Sequence, residues 1–292
     1  MKMFAMLATL ATLMSATPAA SLDWTQVDEV FGRHATVSQD VHRYGFPRTD
    51  LTVTLDGVTL KPAFALGGWV AFQAMGDQAM LMGDLVLTET EINPVMTKVL
   101  SDGLEVTALH NHLLRASPAT FYMHVEGHGD PVNMAVALRE ALVLSKTPLA
   151  PPKATTGAAG ATGLDTEALD KAIGVQGHMN GGVYQFSVPR TDAITDNGMA
   201  VPAPLGTAHA INFQVTGNGK AAITGDFVAL SSEVVPLITS LRDQQIEVTA
   251  IHNHMLHDEP RAFFIHFWAN DDATKLAQGL RAALDKTASR HH

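Results

Sequence analysis

Apolar and polar positions along the chain change their periodicity in an order that occurs twice. Each copy opens with a short amphipathic segment that begins at an aspartate and ends at a glycine, which predicts helices over residues 23–31 and 165–173. Alternating segments bounded by turn residues follow and predict strands. These segments are 51–55, 69–74 and 79–87 in the first copy, with counterparts that end at 221–230 in the second.

A second helix, a hairpin and a third helix complete each copy. Thr90 and Ser232 are placed as N-cap residues, each followed by a glutamate and by an early proline. The next segments predict two strands joined by a turn, at 105–113 and 120–127 and again at 247–255 and 262–269, before final helices at 131–144 and 273–285. The predicted class is α+β, a tandem duplication of an α/antiparallel-β unit in which a histidine-bearing β-hairpin precedes a helix.

The two copies are related by a constant offset along most of their length. The Gly-Asp pairs that end at Asp84 and Asp226, and the Pro-Arg-Thr-Asp runs around Arg48 and Arg190, both lie 142 positions apart (226 − 84 and 190 − 48). Between the copies, a segment rich in Pro, Ala, Gly and Thr has no apolar periodicity and predicts a linker. The predicted organisation is a signal peptide at 1–21, a first repeat at 22–146, a linker at 147–163 and a second repeat at 164–290.

The first 21 residues have the pattern of a secretory signal peptide. Lys2 precedes a short apolar stretch, and small residues follow through Ser21. The stretch is too short to span a bilayer comfortably, and no later segment has 18 uninterrupted apolar residues. The pattern predicts a periplasmic or secreted protein without stable membrane insertion. The alternative is an N-terminal segment that is disordered or belongs to the fold.

Composition narrows the partners and the chemistry. The chain has 292 residues, 46% of them hydrophobic, which is enough for two cores of ordinary size. A net charge of −10 without any Lys/Arg cluster argues against a nucleic-acid partner. Because the chain has no cysteine, disulfides, thiolate ligands and a lipid-modified cysteine are excluded, and any metal must be held by nitrogen or oxygen.

One histidine motif occurs in both copies: a His-Asn-His run is followed, at the same spacing, by a third histidine. In a strand, residues two apart share a face and lie roughly 6.6 Å apart. A hairpin turn centred near Ser117, and its equivalent near Glu259, would place the third histidine opposite the first. The three imidazoles of each copy therefore converge on one face of the hairpin. The predicted metal ligands are His110, His112, His124, His252, His254 and His266.

Three neutral imidazoles leave one or two coordination positions open, which is the arrangement of a catalytic zinc site. Zinc is the predicted cofactor, although copper, iron or manganese would accept the same ligands. The pattern leaves open whether the two histidine sets form two sites or one shared site. Two non-metal roles also fit the pattern: buried histidines paired by hydrogen bonds, and a seam along which the two repeats pack.

Carboxylates near the motif are candidates for a general base beside the metal, although each could instead form a structural salt bridge or stabilise a turn. Glu126 and His128 share the strand parity of the third histidine and would enlarge the first site. Trp268 and Asn270 take their places in the second copy, which predicts two unequal sites and an aromatic wall in the second. Two pairs of acids that recur in both copies are the candidate catalytic residues: Asp84 with Asp226, and Glu105 with Glu247.

The repeated Gly-Asp pairs, the run EVTAIHNHML at 247–256 and the run PRAFFIHFWAN at 260–270, with their counterparts in the first copy, resemble the LppY/LpqO family of exported bacterial proteins, also called DUF1259. The resemblance covers nearly all of the chain after the signal peptide. It implies export and duplication but supplies no reaction. The family name comes from lipoproteins, whereas this chain has no cysteine to carry a lipid.

The sequence therefore predicts an exported metalloprotein, a zinc-dependent hydrolase of a small ester, lactone or amide, with a small molecule as its substrate. The alternative is a non-catalytic periplasmic protein that binds or sequesters zinc or copper, so that the metal ion itself is the partner. A purely structural role for the histidines is the third possibility. A hydrolase predicts a metal next to a free carboxylate, whereas sequestration predicts exposed sites with fast exchange.

Overall fold

The computed structural model of the chain describes residues 22–151 and 163–290. The predicted signal peptide and most of the predicted linker lie outside these ranges. Within them the chain forms two units of the same mixed α and antiparallel-β architecture, which confirms the tandem α+β duplication. None of the helices in these two ranges combines the length and the apolar content that a membrane span requires.

Each unit has one large sheet with helices on one of its faces. The elements of the first unit are α1 (Trp24–Phe31), β1 (Thr36–Ser38), β2 (Val41–Pro47), β3 (Thr54–Leu55), β4 (Val58–Thr59), α2 (Pro62–Ala65), β5 (Gly67–Met75), β6 (Gln78–Thr88), α3 (Glu89–Ser101), β7 (Glu105–His110), β8 (Thr120–Gly129) and α4 (Pro131–Val143). Its six-stranded sheet has the order β1-β2-β5-β6-β8-β7, and every neighbouring pair is antiparallel.

The second unit repeats this order. Its elements are α5 (Thr166–Ile173), β9 (His178–Asn180), β10 (Val183–Pro189), β11 (Thr195–Asp196), β12 (Met199–Ala200), a 3₁₀ turn (Ala203–Leu205), β13 (Ala208–Gly217), β14 (Lys220–Leu230), α6 (Ser231–Asp243), β15 (Glu247–His252), β16 (Asp258–Glu259), β17 (Ala262–Asp272) and α7 (Ala273–Leu284). Its large sheet has the matching order β9-β10-β13-β14-β17-β15. The short strands β12, β11 and β16 form a separate three-stranded sheet, and β3 pairs with β4.

The opening helices begin and end where the sequence places them. Asp23 accepts a hydrogen bond from the Thr25 backbone N–H (3.0 Å), and Gly32 ends α1 with a φ of 64° that suits glycine. In the second unit, Asp165 accepts a hydrogen bond from Ala168 (3.0 Å), and α5 ends at a left-handed glycine in the same way. These local rules held because capping depends on residues only a few positions apart.

The helices α3 and α6 begin two residues earlier than predicted. A glutamate side chain caps each start: Glu91 accepts the Thr88 backbone N–H at 2.8 Å, and Glu233 accepts that of Leu230 at 2.7 Å. The glutamate reaches back three residues to the cap position, as in a capping box. The hydroxyl residues that were predicted as caps therefore lie inside the first turn.

The strands β2 and β10 were missed, and the strand predicted at 51–55 is reduced to β3. In β2, buried residues do not alternate regularly with exposed ones because helices cover one face of the sheet and the other repeat covers the opposite face. A strand that is buried on both faces loses the period of two on which the prediction depends.

Four apolar clusters fill the spaces between the layers of the fold. One cluster in each unit packs its sheet against its own helices, around Phe72 in the first and Phe213 in the second. The other two clusters contain residues from both units, such as Met82 with Phe264, and Phe64 with Trp268. The two sheets therefore pack face to face, with helices outside, and their inner faces meet at the hairpins β7–β8 and β15–β17.

The two repeated arginines are scaffold residues. Arg48 is fully buried and donates to Glu91 at 2.8 Å, to Asp50 at 2.8 Å and to the Val86 carbonyl at 2.8 Å. Arg190 forms the equivalent bonds with Glu233, Asp192 and the Val228 carbonyl. Each guanidinium thus connects the end of a strand to the start of the helix that follows the long central strand.

Candidate metal centre at the repeat interface

The register of the histidine hairpins differs from the predicted one by two residues. Ala108, not His110, is paired with His124, and Ala250, not His252, is paired with His266. Each turn is therefore centred one position earlier, near residues 116 and 258, and each hairpin has an irregularity one residue before these pairs. Because a shift of two keeps every side chain on its own face, the three histidines of each hairpin still converge.

The six histidines form one cluster, not two separate sites. Within the first repeat, the ring centroid of His110 lies 4.9 Å from His112 and 5.0 Å from His124. The corresponding distances from His252, to His254 and His266, are 5.0 and 4.9 Å. Rings from different repeats lie closer still, stacked in three pairs at 3.5, 3.6 and 3.8 Å: His110 with His252, His112 with His266, and His124 with His254.

Matching contacts hold the two hairpins together on either side of the histidines. The Thr107 hydroxyl donates to the His254 carbonyl (2.5 Å), and the Thr249 hydroxyl donates to the His112 carbonyl (2.6 Å). An aromatic ring also backs one histidine of each hairpin, with 3.3 Å between the ring centroids in both cases: Tyr122 with His112 and Phe264 with His254. The arrangement of one repeat is thus repeated by the other about an approximate twofold axis.

Two aspartates lie next to the histidines. Asp84 is the cross-strand partner of His124, and Asp226 is that of His266. The Asp84 Oδ1 atom is 4.0 Å from His124 Nε2, while Asp226 is 3.6 Å from His254 Nε2 and 3.8 Å from His266 Nε2. The sequence candidates Asp84 and Asp226 are therefore brought to the centre.

Burial sets the protonation of this centre. It lowers the pKa of His110 to about 4 and that of His266 to about 3, and it lowers the pKa of the other four histidines as well. Burial also raises the pKa of Asp84 to about 7, an effect that Arg43 opposes, and burial together with the charge of Asp84 raises the pKa of Asp226. The imidazoles are therefore neutral at pH 7, which is the form that binds metal ions.

The donor atoms lie at distances suited to metal coordination. Ligand atoms of His110, His112, His124 and His252 all fall within 4.8 Å of one another, and so do those of His252, His254 and His266. His252 belongs to both groups, and the first group draws on both repeats. His266 Nδ1 lies 2.8 Å from the Gly225 carbonyl oxygen and therefore carries the ring proton, which it donates to that oxygen. The Nε2 atom is then unprotonated and can bind a metal ion.

The other two recurring acids lie at the ends of the interface. Glu247 is paired with Arg115 (2.8 Å), and Glu105 is exposed opposite Glu126 on the neighbouring strand. Within residues 22–151 and 163–290, neither Glu105 nor Glu247 forms a hydrogen bond or ion pair with a histidine of the centre. Asn111 and Asn253 fix the turns by donating to the Leu113 and Met255 carbonyls (3.3 Å each).

Glu126 and Trp268, which occupy equivalent positions, have different surroundings. Trp268 is buried and donates through its indole N–H to Asp56 (3.0 Å), so it packs as a core residue and forms no wall of an open pocket. Glu126 is buried near Asp196, and burial together with that second carboxyl raises the pKa of Glu126 to about 8. His128 lies beside it, with Nε2 at 4.0 Å from Glu126 Oε1.

Sequence reasoning missed the pair of threonines that connect the repeats. Thr107 and Thr249 belong to the Glu-Val-Thr-Ala run that occurs in both copies, so the repeat itself contained the signal. That signal could not be interpreted without the packing of the two units, because each threonine bonds to the opposite repeat.

Comparison with known proteins identifies the family and gives no function. The family profile described as Domain of Unknown Function (DUF1259) matches the chain twice, at residues 25–144 and 167–286, so the chain belongs to the DUF1259 family. Comparison with curated proteins gives no match.

Two solved structures align with most of the chain. The trimeric bacterial microcompartment shell protein PduB is 12% identical, with a TM-score of 0.23 over 87% of this chain and 90% of that one. EtuB from Clostridium kluyveri is 8% identical, with a TM-score of 0.20 over 87% of this chain and 89% of that one. At these TM-scores neither similarity carries an argument about fold or function.

Proposed function

We propose that the protein is a metalloenzyme with one metal centre built jointly by the two repeats, and that it hydrolyses a small ester, lactone or amide. The observation that carries the proposal is a concentration of buried polar atoms without a hydrogen-bond partner. A buried unpaired polar atom costs about 1–3 kcal/mol, and coordination to a metal ion would remove that cost. The residues of the centre that carry such atoms are Asp84, His110, His112, His124, Asp226, His252 and His266.

The donor set favours zinc. It consists of neutral imidazoles with two carboxylates beside them, and zinc accepts both kinds of ligand. Copper, iron and manganese would also be accepted, so metal identity is part of the test. When bound, zinc supplies Lewis-acid chemistry and a nucleophile at neutral pH, which is what hydrolysis requires.

Asp84 and Asp226 are assigned the general-base role in this proposal. A carboxylate whose pKa lies near neutrality accepts a proton effectively at pH 7, and burial moves the pKa of Asp84 into that range. Of the three stacked pairs, His110 with His252 has both rings partly exposed, whereas each of the other two pairs contains a buried histidine, His266 or His124. We therefore place the approach of the substrate at this stacked pair.

The burial of the ligands disfavours the alternative of metal storage and delivery. A delivery protein needs ligands that open readily, whereas here each hairpin is bound to the other repeat through Thr107 and Thr249. Releasing the metal would require the two sheets to separate around buried rings. The arrangement therefore suits a catalytic metal ion that stays bound better than zinc or copper that is stored for delivery.

Export is also part of the proposal and depends on the sequence pattern of residues 1–21. Expression of the full chain in a bacterium, followed by fractionation and N-terminal sequencing, tests it. Mature protein in the periplasm or medium that begins near residue 22 is expected. Cytoplasmic protein that retains residues 1–21 would contradict export without affecting the metal centre.

Metal content distinguishes one shared centre from two separate sites. We would measure zinc, copper, iron and manganese by mass spectrometry in protein lacking His291 and His292. The variants are His110→Ala/His112→Ala and His252→Ala/His254→Ala, and the control is His34→Ala/His178→Ala, which removes two exposed histidines. A shared centre predicts that either hairpin variant loses nearly all of the metal, whereas independent sites would each lose half. Wild-type protein that binds none of these metals after reconstitution would rule out the proposal.

Activity is then tested with nitrophenyl esters, simple lactones and anilides. Hydrolysis is expected to disappear on chelation and to return with zinc. Asp84→Asn/Asp226→Asn should lower kcat by about 10²–10⁴-fold, the usual contribution of a general base, while metal content persists. Metal binding without hydrolysis of any substrate class would exclude the enzymatic part of the proposal and support sequestration.

A further inference from the structure

The histidine centre contains more unpaired ligand residues than a single metal ion can bind. A neutral imidazole binds a metal ion through one ring nitrogen and keeps its proton on the other, so each residue counts as one ligand. Seven residues of the centre carry buried atoms without a hydrogen-bond partner: Asp84, His110, His112, His124, Asp226, His252 and His266. Since zinc in proteins is almost always bound by four ligands, one zinc ion would leave three of these seven residues unpaired.

The ligand atoms of the histidines fall into two groups, and within each group all of them lie within 4.8 Å of one another. The first group joins three histidines of the first repeat to one of the second: His110, His112, His124 and His252. The second group belongs to the second repeat alone: His252, His254 and His266. The two groups share only His252, so the ligands are arranged around two positions and not around one.

One aspartate lies beside each group. In the first group, Asp84 Oδ1 is 4.0 Å from His124 Nε2. In the second, Asp226 is 3.6 Å from His254 Nε2 and 3.8 Å from His266 Nε2. Burying a carboxylate is costly unless it is paired or coordinates a metal ion, and one oxygen of each aspartate is buried without a partner. Each group therefore has its own candidate oxygen ligand.

His252 connects the two groups without being indispensable to either. Its Nε2 atom lies 3.1 Å from Nε2 of His254, whereas its Nδ1 atom is buried without a partner. If His252 binds in the second group, the first group retains three histidines. If it binds in the first group, the second retains two histidines with Asp226 beside them. Either choice leaves three candidate ligands at the other position, which is the number that a catalytic zinc site uses.

We propose that the shared centre binds two metal ions, one in each group. This inference rests on the metal centre proposed above, but it does not depend on hydrolysis. Neutral imidazoles with one carboxylate suit zinc at both positions. When both are bound, two ions close together supply a combined electrostatic stabilisation of the attacking and leaving oxygens, as two-metal sites do in other hydrolytic enzymes.

The two positions depend on each other because their ligands are packed together. The rings of the two hairpins stack in three pairs, with 3.5, 3.6 and 3.8 Å between the centroids. Truncation of the histidines of one hairpin to alanine therefore removes the rings on which the ligands of the other hairpin rest. For this reason the alanine variants should lose nearly all of the metal, even though two ions are bound.

The number of bound ions tests the proposal. Full chain without His291 and His292 is treated with a chelator and titrated with zinc in a calorimeter, and its metal content is measured after dialysis. Two zinc ions per chain are expected, and the His34→Ala/His178→Ala control should also bind two. Saturation at one ion per chain would overturn this inference and leave the proposed metal centre standing. Protein that binds no metal would overturn both.

The distance between the ions is tested with copper(II), because each copper(II) ion carries one unpaired electron. Electron paramagnetic resonance spectra are recorded with one and with two equivalents of copper, in the His34→Ala/His178→Ala background to remove exposed histidines. The second equivalent should broaden the signal and lower its intensity per ion, because two ions within one cluster couple. Two signals that add independently would place the second ion outside the centre and overturn the proposal.

Phenylalanine variants should remove the ions one at a time, because phenylalanine keeps a stacked ring but offers no ligand. His112→Phe/His124→Phe removes two ligands of the first group, and His254→Phe/His266→Phe removes two of the second. Each variant should bind one zinc ion per chain instead of two. Loss of all metal from both variants would indicate a single ion bound by both groups and would contradict the proposal. The wild-type stoichiometry and the copper spectra decide the question even if a variant does not fold.

Discussion

The centre of the interface and its two ends differ in how the repeats contribute to them. At the centre, each repeat supplies the same three histidines, the same aspartate and the same threonine, and the copies meet as equivalents. At the ends, equivalent positions hold Leu55, Ala116 and Trp268 at the first end and Asp196, Asp258 and Glu126 at the second. Because the centre is built from residues of both repeats, substitution of those residues is constrained in each repeat. The residues at the two ends are not constrained in this way and can differ.

The largest expected effect tests whether the scaffold outside the centre is also equivalent in the two repeats. Arg48→Met leaves Glu91 buried without its partner, which should cost about 3–5 kcal/mol in the free energy of unfolding. Arg190→Met, which does the same to Glu233, should cost a similar amount. Urea denaturation measures both, and Lys98→Met, at an exposed ion pair, is the control and should hardly move the midpoint. A loss confined to one arginine would show that the repeats differ in their scaffold as well as at the ends.

Acid should weaken the same contact in a defined pH range. Burial alone would raise the pKa of Glu91, but hydrogen bonds from Arg48 and from two backbone N–H groups outweigh it and lower the pKa to about 2 from 4.5. Because the folded pKa lies below the ordinary value, this contribution to stability is complete above pH 4.5 and is lost as the pH falls towards 2. The Arg48→Met variant should therefore lose less stability than wild type over this range.

The second effect concerns the glycines that precede the two aspartates of the centre. A Cβ on Gly225 would overlap the Ala210 carbonyl oxygen on the neighbouring strand, whereas on Gly83 it would meet mainly side chains, the nearest at 2.9 Å. Gly225→Ala should therefore lower the free energy of unfolding by about 3 kcal/mol, because a backbone strand must move. Gly83→Ala should lower it by less. Denaturation measures the difference, and metal content shows whether Asp226 has been displaced. Equal losses would show that the centre is as symmetric in its packing as in its residues.

The contrast between centre and ends also explains what sequence reasoning recovered. The helix starts at Asp23 and Asp165 and the shared face of each histidine set depend on residues close in sequence, and these predictions were confirmed. The register was wrong by two residues, because hairpin register depends on the turn, which the histidine spacing does not specify. The error did not change which histidines share a face, because a shift of two residues preserves strand parity.

Sequence reasoning could not recover anything that depends on the packing of the two repeats. The sharing of one centre, the stacking of His110 on His252 and the grouping of Glu126 with Asp196 all join residues more than 60 positions apart. Periodicity within one repeat contains no information on which face of the sheet the other repeat covers. The offset of the repeats would have aligned Glu126 with Trp268, but the meaning of that difference depends on their neighbours.

The third effect tests the contacts that join the equivalent halves. Thr107→Val removes the hydrogen bond to the His254 carbonyl, and Thr249→Val removes the one to the His112 carbonyl. Each change should cost about 1 kcal/mol and should weaken metal retention, because the hairpins of both repeats hold the ligands. Thermal unfolding and the rate of zinc loss to a chelator measure the two consequences. Stability loss without faster zinc loss would mean that these bonds support the fold but not the centre.

The smallest effect comes from converting the first end towards the second. Arg115→His introduces the residue found at position 257 and leaves Asp56 and Glu247 without their shared cation. Because Arg115 is half exposed, solvent screens the charges and the Tm should fall by at most about 2 °C in low salt, and by less in 0.5 M NaCl. A much larger fall in Tm, or one that salt does not reduce, would contradict the interpretation of these contacts as solvent-screened ion pairs.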